Sequence, residues 1–306
     1  MQMVELRMLK ILIFALVYCT PDVCHPGDDG FPPGKYKIEL TNDRPRALID
    51  LGDRYNRQLT ERGIDTERYP IELARHHIIP YKTIKDFFNK LWGEQGRLRQ
   101  PRKLYTFLGH RIPLYAGSAG WNCQTSASQI AGASNVALAL GDGYMLPDGD
   151  LDENQIEEFL RYIAWLPGNI FIGPHANFRS DDPEENGFER DAVYIVGDRR
   201  YAILLNTYED MGEYVKNPSE DLLGAIINNL VKIAQIKSVK LLRREDWIND
   251  HGKYRINRNE HHRKENGENY ESPLSGDACA GLDAGYSLVK GKYYSTISLA
   301  NSLILF

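Results

Sequence analysis

One short segment, residues 71–80, constrains the fold of this chain more than any other. Apolar and polar residues alternate along it, as in a β-strand with one buried face, and Pro80 ends the strand. His76 and His77 stand side by side near its end. One imidazole can bind a divalent metal ion and another can take a proton from water. The segment therefore predicts a strand that carries groups suited to metal-assisted hydrolysis.

The composition is that of a folded protein without a global affinity for nucleic acid. The chain has 306 residues, of which 42% are hydrophobic and 26% charged, enough for a large core. Its formal net charge is -5, so any site for a polyanion has to be local. Basic residues do cluster between positions 97 and 111, either in a solvated loop or on a phosphate-binding surface. These residues are Arg97, Arg99, Arg102, Lys103, His110 and Arg111.

The N-terminus has the pattern of a secretory signal. Two basic residues precede an apolar run over 11–17, which is shorter than the roughly 20 residues of a membrane-spanning helix. We predict cleavage after Cys19, export, and no stable membrane association of the mature chain. A membrane anchor or a buried helix is the alternative. The cysteines left after cleavage are odd in number, and none has the spacing of a metal site.

Helical patterns occupy much of the remaining chain. An amphipathic helix is expected over about 46–62, and the small residues of 124–140 predict a close-packed helix. Apolar residues recur at helical spacing in three further stretches: about 82–92, 156–163 and 219–235. Ser219 is the expected cap of the last of these helices. Two apolar runs around a turn at Gly197 predict a β-hairpin over 192–205. Residues 243–277 are very polar and predict a mobile, solvated segment, with a nucleic-acid contact as an alternative.

Two further motifs share some residues with known functional sites. The residues around Ser118 look like a nucleophile elbow, but Ala116 stands where that motif has Gly, so a Ser118 hydrolase is a distant alternative. Residues 148–152 are rich in Asp, but a calcium loop that begins at Asp148 would need Gly and Glu where the chain has Glu153 and Phe159. We interpret them as a turn and helix cap.

A second informative segment spans residues 168–183. It opens with a short apolar strand led by Asn169. After the strand come side chains that bind metals or phosphate, arranged in a polar turn: His175, Asn177, Arg179, Asp181 and Asp182. The segment predicts a second half of the site that begins at His76 and His77.

Together the two segments resemble the HNH, or His-Me finger, nuclease family. In that family one strand ends in a His that acts as general base, often preceded by a metal ligand. A second strand begins with an Asn that orients the base. The resemblance covers about thirty residues. It implies a ββα-metal core that hydrolyses phosphodiester bonds in DNA or RNA with a divalent metal ion, which could be Mg, Mn, Ni or Zn.

The family's roles can be carried over to individual residues. The resemblance implies that His77 is the base, that Asn169 orients it, and that Arg179 holds phosphate oxygens. For the metal it implies three ligands, His76, His175 and Asn177, with Asp181 or Asp182 as possible oxygen ligands in their place. About ninety residues separate the two strands, whereas the family usually has a few tens, so the core would have to close around an insertion.

We therefore expect an α+β fold, a ββα-metal core embedded in additional helices and a β-hairpin. The expected organisation is a signal peptide over 1–19, an N-terminal linker and helix over 20–70, a nuclease-like domain over 71–240 with a helical insertion at 81–167, and a polar C-terminal segment over 241–306. The expected function is a secreted metal-dependent endonuclease that serves as a toxin, effector or digestive enzyme. The alternative is a noncatalytic secreted binding or structural protein, whose histidines and Asn169 only satisfy buried backbone groups.

Overall fold

The computed structural model describes the chain in several stretches. These are residues 44–45, 59–93, 101–119, 126–142, 153–183, 187–236, 239–259, 286–289 and 292–295. Helices and small antiparallel sheets alternate along them, so the predicted α+β class is confirmed. The predicted signal at 1–19 and the turn at 148–152 lie outside the described residues. Within the described part, no helix combines the length and the apolar character needed to cross a membrane.

The two segments singled out in the sequence pair with each other. Strand β3 (Leu73–His77) lies antiparallel to β4 (Ile170–Pro174), with His77 opposite Ile170. All five residues of β4 are buried. On the other side of β4, Lys240 forms a parallel bridge with Phe171. A shorter hairpin, β1 (Thr60–Arg62) with β2 (Arg68–Pro70), precedes this pair, so the end of the helix predicted from about 46 to 62 is a strand.

Among the described residues, four α-helices lie between β3 and β4. They are α1 (Tyr81–Gly93), α2 (Arg102–Ala119), α3 (Ala127–Asp142) and α4 (Glu153–Ala164). Three of them, α1, α3 and α4, confirm helices predicted from the sequence. Helix α2 instead occupies the stretch considered as a solvated loop. It packs closely on α3. A Cβ at Gly109 would lie only 2.3 Å from Leu138, so the two helices approach closely at this glycine.

The β-hairpin predicted over 192–205 is wrong. Ala192 ends a 3-10 turn, and the residues after it belong to α5 (Val193–Val196) and α6 (Asp198–Lys216), which are separated by Gly197 with a φ of 79°. The buried residues of α6, from Leu204 through Met211 to Tyr214, recur at helical spacing beyond the predicted hairpin. Packing of that stripe decides the conformation of the short apolar runs. The following helix, α7 (Glu220–Ala234), confirms its prediction, including the cap, since the Ser219 hydroxyl accepts a hydrogen bond from the Leu222 amide.

The segment predicted to be mobile over 243–277 is ordered in its described part. Strands β5 (Trp247–Asp250) and β6 (Lys253–Ile256) form an antiparallel hairpin. Trp247 and Ile256 are buried in the main core, and Tyr254 bridges to Arg179 beyond the end of β4. These three buried side chains attach an otherwise very polar stretch to the core. The last described elements are β7 (Tyr286–Val289) and β8 (Lys292–Ser295), which also pair.

Candidate functional site

His77 ends β3 with its ring held in one orientation. Its Nε2 lies 2.6 Å from the carbonyl oxygen of Ala164, so this nitrogen carries the proton and donates it. The ring packs against Trp165, at 4.7 Å between ring centroids, and lies 6.4 Å from Tyr81. Its Nδ1 is buried and has no hydrogen-bond partner in the described part of the chain. The imidazole therefore presents an unused lone pair.

The His77 ring is neutral at ordinary pH. Burial lowers its pKa, the charge of Arg44 lowers it further, and the hydrogen bond to Ala164 only partly opposes these effects. The resulting pKa is about 3. A neutral imidazole can accept a proton, but one with so low a pKa is a weak base until a nearby negative charge strengthens it.

Asn169 holds the ends of the two strands together. Its side-chain oxygen accepts a hydrogen bond from the Ile79 amide at 2.7 Å, and its side-chain nitrogen donates to the Ile79 carbonyl at 2.9 Å. The side chain is 2% exposed. Neither ring nitrogen of His77 bonds to Asn169. Asn169 therefore fixes the backbone just beyond His77 and does not orient the ring directly.

Arg200 supports the turn that carries Asn169, a contact that the sequence did not indicate. From α6 it donates hydrogen bonds to the carbonyl oxygens of Gly168, at 2.9 Å, Pro167 and Ile170. The same turn needs a glycine, because a Cβ at Gly168 would lie 2.1 Å from the carbonyl oxygen of Ile233. The turn is thus held from both α6 and α7.

His76 has contacts at both ring nitrogens. Its Nε2 donates to the Pro174 carbonyl at 2.8 Å, which leaves Nδ1 as the acceptor. That Nδ1 lies 3.3 Å from Nη1 of Arg179 and 3.6 Å from a carboxylate oxygen of Asp182. Burial, followed by the charge of Arg179, lowers the pKa of His76 to about 3. In this arrangement the lone pair predicted to bind a metal is directed at a guanidinium.

Arg179 does not occupy the phosphate-binding position predicted for it. Its side chain is 0% exposed and lies between the rings of Phe171 and Trp247, 5.7 and 5.4 Å from their centroids. It pairs with Glu189 at 2.7 Å and with Asp181 at 2.9 Å. Phe171 of β4 and Trp247 of β5 bury it, and the sequence placed only Phe171 near the site. Its position suits a group that holds His76 and the acids in place.

A cleft of about 240 Å³ opens beside the two histidines. His76 and His77 both line it, as do His175 and the carboxylates Asp182 and Glu189. Among the described residues, the cationic side chains of its lining are those of Arg44 and Arg75. None of the basic residues described between positions 101 and 111 is part of the lining. In the described stretch Arg102, Lys103 and His110 are exposed on α2 instead.

The side chains around the cleft, as arranged, do not form a metal site. Among the described residues, no group of three or more His, Cys, Asp or Glu side chains is placed to hold an ion. His76 and His175 face the same cleft, but Nδ1 of His175 accepts from the Asn177 amide at 3.3 Å. Asn177 is exposed in a single turn, Ala176–Phe178, where the family resemblance implied a metal-bearing helix. The predicted ligand set is therefore not assembled.

The nucleophile elbow considered at Ser118 is also wrong. That motif requires a sharp turn between a strand and a helix, which exposes the hydroxyl. Ser118 lies inside α2, near its end.

Comparison with known proteins gives one partial similarity. No protein-family model and no solved structure matches the chain. It is similar to protein p9 of Acyrthosiphon pisum secondary endosymbiont phage 1, with 35% identity over 150 residues. The match covers 47% of this chain and 40% of the phage protein, so the chain spans about two fifths of that relative's length. The relative's name states no activity.

Proposed function

We propose that this chain is an endonuclease of the His-Me finger type, which hydrolyses phosphodiester bonds in DNA or RNA. One observation carries the proposal. His77 and Asn169 come from segments about ninety residues apart, yet they meet at the same end of an antiparallel strand pair, beside a cleft. In this proposal β3 and β4 are the two strands of a ββα-metal core.

His77 is the proposed general base. Its Nε2–H is held by the Ala164 carbonyl, so Nδ1 is the nitrogen that would take a proton from the attacking water. General-base catalysis of this kind typically accelerates a reaction about 10²- to 10⁴-fold. The negative charge of a bound phosphate would favour the protonated imidazole and so raise its pKa from about 3.

Asn169 and Arg200 are proposed as positioning residues. Asn169 ties the strand ends together through Ile79, and Arg200 holds the carbonyl groups on both sides of Asn169. Neither side chain needs to touch the substrate. Their effect would be on the orientation of His77, where an error of about 1 Å can cost about 10²-fold in rate.

The divalent metal ion implied by the resemblance remains part of the proposal. The roles proposed for His77, Asn169 and Arg200 do not depend on it. The described residues do not fit such an ion as they are arranged, since both nitrogens of His76 are engaged. Metal dependence is therefore a variable of the experiment, with Mg, Mn, Ni and Zn tested separately.

The sharpest test is cleavage of plasmid DNA and of RNA by wild type and His77→Gln, with each metal and with EDTA. Glutamine can keep a donor for the Ala164 carbonyl but has no basic nitrogen, so the variant separates catalysis from folding. His110→Ala, on the exposed surface of α2, is the control. We expect cleavage by wild type and the control, and a loss of at least about 100-fold in His77→Gln. A folded wild type that cuts neither substrate under any condition would refute the nuclease.

A noncatalytic binding protein is the second candidate, favoured by the state of His76. Both of its nitrogens have partners within the protein, as in a structural histidine. The cleavage assay separates the two candidates, because a binding protein would retain its fold and show no turnover.

We also propose export, on the basis of the signal pattern at 1–19. N-terminal sequencing of the protein produced in a secreting host should give Thr20 as the first residue. A toxin or effector role would depend on that result. An uncut N-terminus would contradict export.

A further inference from the structure

The cleft has its own pair of cations, in place of the basic residues that the sequence suggested. Arg44 is exposed at the cleft, and its guanidinium lies over two rings, 5.6 Å from the centroid of Trp165 and 5.8 Å from that of Tyr81. The same two rings flank His77. The next residue, Pro45, accepts a hydrogen bond from the Trp165 indole. Arg44 is thereby held close to the proposed base.

Arg75 reaches the cleft from the strand that carries His77. The two residues are two positions apart in β3, so their side chains leave the strand on the same side. Arg75 is half-buried, which limits its freedom. Arg44 comes from the N-terminal part of the chain and Arg75 from β3, and both line the cleft together with His77.

We propose that Arg44 and Arg75 are the phosphate-binding pair of this cleft and hold the scissile phosphodiester of a nucleic acid beside His77. Planar guanidinium groups bind phosphate oxygens through paired hydrogen bonds, which fix orientation as well as supply charge. Asp182 and Glu189 line the same cleft, so its charge is balanced and a phosphate would be held by directed bonds. This inference rests on the proposed function.

The inference is tested with Arg44→Gln and Arg75→Gln. Two controls remove a charge elsewhere: Arg62→Gln on the exposed β1 strand, and Lys103→Gln on the α2 surface that the sequence suggested. Binding of a fluorescent oligonucleotide is measured by anisotropy in the His77→Gln background, which removes the proposed base. Cleavage is measured in the native background as KM and kcat, across pH and salt.

We expect each cleft variant to weaken oligonucleotide binding about tenfold and to reduce the salt slope by somewhat less than 1, which is the contribution of one phosphate contact. KM should rise about as much as the dissociation constant. The two controls should behave as wild type.

The outcomes separate this inference from the nuclease itself. Cleavage by all variants with an unchanged KM would overturn the phosphate-binding pair and leave the nuclease standing. Binding that depends on both arginines without any cleavage would support the pair and refute the nuclease. Failure of the wild type to bind the oligonucleotide, or an effect of Lys103→Gln equal to that of the cleft variants, would also overturn the inference.

Discussion

The hydrogen bonds of Asn169 allow a quantitative prediction for Asn169→Ala. The substitution removes both bonds to Ile79, whose amide and carbonyl lie in a residue that is 1% exposed. Each buried backbone group left without a partner costs about 1–3 kcal/mol. We therefore expect a loss of about 2–6 kcal/mol in the free energy of unfolding, a large part of the roughly 5–15 kcal/mol typical of a domain.

Asn169→Asp tests the same bonds with almost no change of shape. A protonated carboxyl can accept from the Ile79 amide and donate to its carbonyl, whereas a carboxylate repels that carbonyl. Burial should therefore raise the pKa of the new carboxyl above its unfolded value of about 3.9. A raised folded pKa contributes stability below the unfolded pKa, and that stability is lost as pH rises through the folded pKa. The variant should approach wild type near pH 4 and lose stability towards pH 7.

The assay is urea denaturation followed by tryptophan fluorescence, at pH 4, 5.5 and 7, with every value taken as a difference from wild type. Asn206→Ala and Asn206→Asp are matched controls, since Asn206 is exposed on α6. They should change stability by less than about 0.5 kcal/mol. A cost below about 1 kcal/mol for Asn169→Ala, or a pH-independent cost for Asn169→Asp, would refute the role of this bridge.

Three further effects follow from the structure. His76 and His77 have pKa values of about 3, below the ordinary value of 6.5 for this side chain. Protons therefore bind the unfolded chain first, and the free energy of unfolding should fall as pH drops from 6.5 towards 3, by about 2 kcal/mol for each histidine at pH 5. Arg179→Met leaves the buried partners of a salt bridge unpaired and should cost about 3–5 kcal/mol in urea denaturation. Ser219→Ala removes a helix cap and should cost about 1 kcal/mol.

Each of these three effects has its own control variant. The pH effect should shrink in His77→Gln, and an unchanged slope would show that this ring does not cause it. Arg62→Gln, an exposed arginine, should leave the denaturation midpoint unchanged, unlike Arg179→Met. A Ser219→Asp variant should retain the cap, so a loss equal to that of Ser219→Ala would contradict the capping contact.

The two strands and four of the helices were predictable from the sequence, and the conformation of residues 192–205 was not. Alternation up to His77 and the apolar run after Asn169 are local signals, and each identified its strand. Residues 192–205 show the limit of such signals, because short apolar runs fit either conformation. The buried stripe that decides for a helix continues to Tyr214, beyond the runs themselves.

The types of residue in the sequence identified the candidate site, but they did not show which of its side chains are buried. Arg179 has the right chemistry for phosphate, but Trp247 helps to bury it, and Trp247 belongs to a stretch whose polar composition indicated solvent. Arg44 and Glu189 line the cleft without any pattern in the sequence around them. The packing of distant segments brings these two residues to the cleft, and no residue spacing in the sequence indicates it.

The bridge between Asn169 and Ile79 closes a loop of about ninety residues, whose described part holds four α-helices. Closing ninety residues instead of ten costs only about 2 kcal/mol more in chain entropy, because the cost grows with the logarithm of loop length. The strand pair can therefore admit a large excursion of the chain at this point with little thermodynamic penalty. A chain permuted to begin inside that excursion, with the original ends joined, should still assemble both strands.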